Sequence, residues 1–104
     1  MERDDYLEAA KLLEISAQAS PHFKTLELLG ECWLKNGDPH GAILPLAASI
    51  GFDRNVSRAC YLLGRAFAEL GDKDEAILHL KRALAKQPDF KQARILLEVL
   101  SHEP

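Results

Sequence analysis

The chain has 104 residues, 47% of them hydrophobic and 28% charged, with a net charge of −3. That describes one small globular unit with a single core, without the basic excess that nucleic-acid binding draws on. No run of 18 apolar residues is present, so no membrane-spanning helix is expected. The first residues, MERDDY, are acidic and carry no apolar leader pattern. Two cysteines, Cys32 and Cys60, are too few for a disulfide framework. A reducing, cytoplasmic setting is the expectation. Residues 1–52 carry 4 Lys/Arg against 8 Asp/Glu, and residues 53–104 carry 9 against 8, so the first half is acidic and the second nearly balanced. This asymmetry reads either as solvated outer helix faces or as a basis for head-to-tail contacts.

Six helices are expected, over about residues 5–19, 21–36, 39–50, 56–70, 73–86 and 90–101. Asp5 with Glu8 has capping-box spacing at the first start. Ser20-Pro21 and Asp38-Pro39 place a capping oxygen before a proline at the first helical position. Asp72 with Glu75, and Asp89 with Gln92, repeat the box. Gly37, Gly51 and Gly71 are expected to end helices in the left-handed conformation, and Pro88 closes the fifth. Pro45 falls inside the third helix, where it removes a hydrogen bond and crowds the carbonyl of Gly41, so a kink is expected there. The connections are short, so neighbouring helices must run antiparallel.

Much of the chain repeats at one fixed step, the step from Gly30 to Gly64. Leu29-Gly30 pairs with Leu63-Gly64, Gly37-Asp38 with Gly71-Asp72, Ala42-Ile43 with Ala76-Ile77, and Leu46 with Leu80. A period of that length marks a helix–turn–helix repeat array. Residues 57–90 resemble a tetratricopeptide repeat (TPR) in Leu63-Gly64, Phe67, Gly71-Asp72, Ala76, Ala83 and Pro88. Residues 23–56 resemble a second copy that keeps Leu29-Gly30, Trp33, Gly37-Asp38 and Ala42 but has Ser49 and Arg54 where the first has Ala83 and Pro88. The stretch 5–20 resembles the second helix of a further repeat, with one extra residue before the next. Glu98 stands where a third copy would need glycine, so residues 90–101 read as a terminal, solvating helix. The resemblance implies a single all-α unit over residues 1–104, a right-handed α-solenoid of helix hairpins whose first helices line a concave groove.

With Leu26, Leu29, Gly30 and Trp33 packed inward, Lys24, Glu27, Glu31 and Lys35 are left toward that groove, followed by Arg58, Tyr61, Arg65 and Glu69, then Gln92, Ile95 and Val99. Of these, Glu27, Glu31, Arg58, Tyr61, Arg65, Ile95 and Val99 are the expected binding residues. The expected groove runs from acidic through a Tyr–Arg centre to apolar, and Tyr and Arg are enriched at binding hot spots. The competing reading pairs Glu27 and Glu31 with Arg58 and Arg65 as surface ion pairs of little worth. Ile95 and Val99 are either covered by the bend of the superhelix or form a sticky edge. Some TPR domains grip chaperone tails with a Lys/Asn/Arg clamp; only Arg65 has that character here, so that function is disfavoured.

Catalysis has little to stand on. His22, His40, His79 and His102 are scattered over expected caps and outer faces, with no metal-ligand spacing. Cys32 and Cys60 occupy packing positions, where a buried thiol is inert. No enzyme activity, cofactor or metal is expected. The reading is a non-catalytic module that holds a peptide segment or partner helix in its groove. The alternative is an assembly element that self-associates, as a homodimer, or docks in a larger complex through its terminal helices.

Overall fold

A computed structural model describes residues 3–20, 22–52 and 57–102. Among them six helices follow in chain order: α1 (Arg3–Ala19), α2 (Phe23–Lys35), α3 (Pro39–Phe52), α4 (Ser57–Glu69), α5 (Lys73–Lys86) and α6 (Lys91–His102). The expected all-α architecture is what the chain adopts, and the six expected spans correspond to these helices within a few residues.

The turns after α2 and α4 are built alike. Gly37 and Gly71 both have φ of 81°, a region that glycine enters without steric cost. The amide of Asp38 donates to the Trp33 carbonyl at 2.8 Å, and that of Asp72 to the Phe67 carbonyl at 2.9 Å, as in a Schellman closure. The same aspartates then start the next helices. Asp38 Oδ1 accepts from the Gly41 amide at 3.0 Å, and Asp72 Oδ1 from the Glu75 amide at 3.2 Å. One short stretch therefore ends one helix and begins the next, and the device recurs one repeat later.

Other boundaries differ from expectation. Asp5 lies inside α1, which already includes Arg3, so it does not cap that helix. His22 is the N-cap of α2, its Nδ1 accepting from the Lys24 amide at 3.1 Å; Pro21 lies outside the described residues. Gly51 is helical, because α3 runs on to Phe52, and among the described residues only Gly37 and Gly71 have positive φ. As its expected span required, α3 continues across Pro45, which is buried.

The hairpins close on glycine. A Cβ built on Gly30 would sit 2.3 Å from Leu46 Cγ, and one on Gly64 would sit 2.9 Å from Leu80 Cγ and 3.2 Å from the Ala76 carbonyl oxygen. The leucine of the second helix thus fills the place of a side chain on the first, which lets the axes approach closely. Leu46 and Leu80 are fully enclosed, each burial contributing roughly 1.5–3 kcal/mol. One core cluster forms around Leu34, Leu46, Leu62 and Leu63, and a second around Cys60, Leu80, Phe90 and Leu100. Ile50, Tyr61 and Phe67 touch both clusters and join them. Ser49, fully buried, keeps its hydroxyl satisfied by donating to the Phe23 carbonyl at 2.8 Å.

His79 is not on an outer face. It is 8% exposed, stacks on Phe67 with ring centroids 5.5 Å apart, and lies 3.4 Å from Glu75 through Nε2. Burial and then the charge of Arg82 push its pKa below the ordinary value, against the pull of Glu75. The folded state therefore favours the neutral imidazole.

Each consecutive pair of helices packs together, and α4 also touches both α2 and α6. Among the described residues the odd-numbered helices make no such contacts with one another. The even-numbered helices therefore form a close inner layer, and the odd-numbered ones splay apart as an outer layer. This is the layering of a curved α-solenoid.

Gly30→Ala overpacks the Leu46 crossing and lowers stability by about 1–3 kcal/mol in urea unfolding. Gly51→Ala, with no heavy atom within 4 Å of the added Cβ, is neutral or gains up to about 1 kcal/mol from helix propensity. For His79, the unfolded chain takes up the proton first, near the ordinary value of about 6.5. Stability is complete above that pH and declines as pH falls through it toward the lower folded value. A urea midpoint that drops between pH 7 and 5.5, and a flatter profile in His79→Leu, are the expected results.

Candidate partner-binding groove

The inner layer presents one face of α2, α4 and α6 side by side. Its α2 end is occupied by a bridge. Arg58 Nη2 donates to Glu31 Oε2 at 2.6 Å, and Arg58 Nε lies 3.2 Å from Glu27 Oε1. Lys35 Nζ adds a contact to Glu31 at 3.4 Å. Glu27 is 4% exposed, so this is a partly desolvated pair and not an ordinary surface ion pair. Its Oε2 is buried and has no hydrogen-bond partner among the described residues, which leaves Arg58 as the main compensation for its charge. Burial pushes the Glu31 pKa up, but the hydrogen bond and charge of Arg58, with Lys35, outweigh it and hold the carboxyl below its usual range.

Beyond the bridge the surface opens. A cleft of about 320 Å³ lies between α4 and α6, with Tyr61, Arg65 and Glu69 on one wall and Gln92, Ile95 and Val99 on the other. Tyr61 is fixed from behind by Phe90, at a ring separation of 5.0 Å and a tilt of 40°. Arg65 lies 5.9 Å from the centre of the Tyr61 ring and 3.9 Å from Glu69. Both contacts are loose enough for the guanidinium to turn to an incoming carboxylate. Ile95 is 61% and Val99 52% exposed, four residues apart on one stripe of α6. Phe90, Ala93 and Leu100 face the other way, into the core.

The seven expected residues thus fall into two groups. Glu27, Glu31 and Arg58 lie together but engage one another. Tyr61, Arg65, Ile95 and Val99 line one open cleft. The residue pattern missed the double grip of Arg58, because the competing reading shared the two carboxylates between Arg58 and Arg65. Glu69 and Gln92, which the same helical offsets put toward the groove, line the cleft as well.

A second cleft, about 650 Å³, opens in the outer layer between the last turns of α3 and α5, with Cys60 at its base and Arg82 and Lys86 on its wall. Burial raises the Cys60 pKa more than Lys86 and Arg82 lower it. Burial, with Glu31, likewise raises that of Cys32. Neither thiol is activated as a nucleophile at neutral pH. Among the described residues no three His, Cys, Asp or Glu side chains are grouped to hold a metal ion, and no helix is long and apolar enough to cross a membrane.

Residues 2–83 match the model of a family described as anaphase-promoting complex, cyclosome, subunit 3. DnaJ homolog subfamily C member 3 of Gallus gallus is 32% identical over 91 residues, which cover 86% of this chain and 18% of that protein. Outer dynein arm-docking complex subunit 4 of Xenopus laevis is 26% identical over 92 residues, covering 88% of this chain and 17% of that protein. The chain therefore spans less than a fifth of the length of these relatives. Among solved structures, that of MamA superposes with a TM-score of 0.88 at 28% identity, over 93% of this chain and 57% of that one.

The bridge makes a stability prediction. Arg58→Ala leaves Glu27 buried and unpaired and costs on the order of 2 kcal/mol. Adding Glu27→Gln recovers most of the loss, as read from urea midpoints.

Proposed function

The chain belongs to the family described as anaphase-promoting complex, cyclosome, subunit 3, a tetratricopeptide-repeat family, and from that membership we propose that its open inner cleft holds a peptide segment of another protein. Helical repeats of this kind are in general interaction scaffolds and not enzymes. The observation that carries the finer reading is the cleft between α4 and α6. It joins an immobilised aromatic, a loosely held guanidinium and two exposed aliphatic side chains within one concavity. These groups suit a peptide that inserts an apolar side chain between Ile95 and Val99 and sets a carboxylate against Arg65. Gln92 has the donor and acceptor to meet a peptide backbone. Arg58, Glu27 and Glu31 hold α2 and α4 in place and form the closed end of the groove. In this reading residues 1–104 act as one unit, with α6 as the terminal helix. The two unpaired cysteines fit a reducing, cytoplasmic setting.

A second reading has a specific observation in its favour. Ile95 and Val99 on α6, and Leu12 and Ile15 on α1, are exposed at opposite ends of the chain, where a second copy or a larger assembly can cover them. The family description and the name of the Xenopus laevis relative both refer to subunits of complexes.

Peptides selected from a displayed library on the intact chain test the first reading. Tyr61→Ala with Arg65→Ala weakens their binding at least about tenfold, or about 1.4 kcal/mol, with helicity unchanged by circular dichroism. Unchanged affinity rules out the cleft. For the second reading, Val99→Arg keeps the chain folded and abolishes any concentration-dependent increase in mass by light scattering. A folded variant that retains such an increase removes α6 as the interface.

A further inference from the structure

α3 carries no Asp, Glu, Lys or Arg anywhere along its length, although it stands in the outer layer. A helix that is apolar on every side belongs inside a structure. Here Leu44 is 78% exposed, and Ala47 and Gly51, which follow it on the same stripe, are exposed as well. Gly51 has no reason within the chain. Gly30, Gly41 and Gly64 each face a neighbour that a Cβ would crowd, and Gly37 and Gly71 have positive φ. Gly51 is helical, and a Cβ added there meets only open space.

That space is the outer cleft, in the middle of the array, where Ala47, Ile50 and Gly51 of α3 face Arg82, Ala85 and Lys86 of α5 across Cys60. Leu44 and Leu78, counterparts one repeat apart, stand one turn before it on the same two stripes, both exposed. One wall is neutral, and the other is cationic. Arg82 is exposed and pairs with no carboxylate among the described residues. The charges of Lys86 and Arg82 reach the Cys60 thiol at the base, where they act against burial. Among the described residues, no lining side chain offers a carboxylate, amide or hydroxyl oxygen. An extended peptide laid there finds no side-chain acceptor for its N–H groups, which is costly in an apolar cleft. A helix arrives with those groups already bonded.

We infer that the outer cleft between α3 and α5 docks an amphipathic helix of another protein, apolar on one face and acidic along one edge. Its apolar face lies along Leu44, Ala47 and Gly51, where the missing side chain lets its backbone come close. Its carboxylates meet Arg82 and Lys86. The exposed stripes of α1 and α6 do not fit, so a second copy is not the occupant. In α1, Glu8 and Lys11 stand one turn before Leu12 and Ile15 on the same stripe, which breaks the apolar face with both signs of charge. In α6, Lys91 precedes Ile95 on its stripe, and Arg94 outweighs any acidic edge that Glu98 provides. This inference is independent of the cleft between α4 and α6.

The probe is an Ala-based helix displayed as a library and selected on the intact chain. Its face is randomised among Leu, Ile and Phe, and its flanks among Glu, Gln and Lys. One recovered helix is labelled with fluorescein and titrated by anisotropy. The recovered helices are expected to carry Glu on one flank. Affinity falls at least about tenfold with Gly51→Leu, which fills the cleft wall while keeping the urea midpoint, and by a similar factor with Arg82→Glu. A peptide with Lys in place of that Glu binds the Arg82→Glu chain better than the original peptide does. Tyr61→Ala with Arg65→Ala in the chain leaves binding unchanged. The inference is overturned if no helix is recovered, or if the flanks return neutral or basic. It is equally overturned if both outer-cleft variants bind as the unmodified chain does, or if the Tyr61/Arg65 variant loses binding. A dimer of the unmodified chain that Gly51→Leu dissociates also contradicts it, since a second copy then fills the cleft. Circular dichroism confirms that each variant used remains folded.

Discussion

The close approach of each second helix to a glycine on the first is the constraint on which the rest of the structure depends. Leu46 occupies the space over Gly30, and Leu80 the space over Gly64, so each hairpin is fixed in both axial distance and register. Once the hairpins are set, Ile50, Tyr61 and Phe67 lie where they join two core clusters into a continuous interior. The paired turns at Gly37-Asp38 and Gly71-Asp72 make the same geometry recur without adjustment. Curvature follows from the layering, because the even-numbered helices touch while the odd-numbered ones splay apart.

The inner face of that curve has a closed end and an open end. Near α2 it is closed by polar groups that engage one another, with Arg58 holding two carboxylates of α2. Near α6 it is open, and its polar groups are held only loosely. Binding energy is most available where a surface is preorganised yet not already engaged. The Tyr61–Phe90 contact provides the first condition, and the exposed Ile95 and Val99 the second. The outer cleft above Cys60 is larger, but it offers a protonated, buried thiol as its distinctive group and no comparable set of converging polar groups.

The helices, the repeat and the glycine crossings were legible in the sequence because each leaves a periodic trace. Leu29-Gly30 and Leu63-Gly64, and Gly37-Asp38 and Gly71-Asp72, are local patterns with a direct steric or hydrogen-bonding cause. The places where reading failed are those where one residue answers to two constraints. Gly51 looks like a stop, but α3 continues through it because nothing there demands a left-handed turn. His79 looks like a surface residue of an amphipathic helix, yet it packs on Phe67. Its counterpart one repeat earlier, Pro45, is buried too. The positions of Tyr61 and Arg65 followed from helical spacing alone. The burial of Glu27 did not, since it depends on Arg58 reaching across from the next hairpin. Repeat pattern fixes where backbones cross, whereas long charged side chains choose among several partners of similar energy.

The most direct test of the account is a methyl-labelled NMR titration of the intact chain with a library-selected peptide. Resonances of Ile95 and Val99, with the neighbouring Leu96, should shift on saturation, while Leu44 and Leu78 on the outer layer stay in place. Shifts confined to the outer layer or to the α1/α2 end, with Ile95 and Val99 unmoved, would contradict the claim that the concave cleft between α4 and α6 holds the partner.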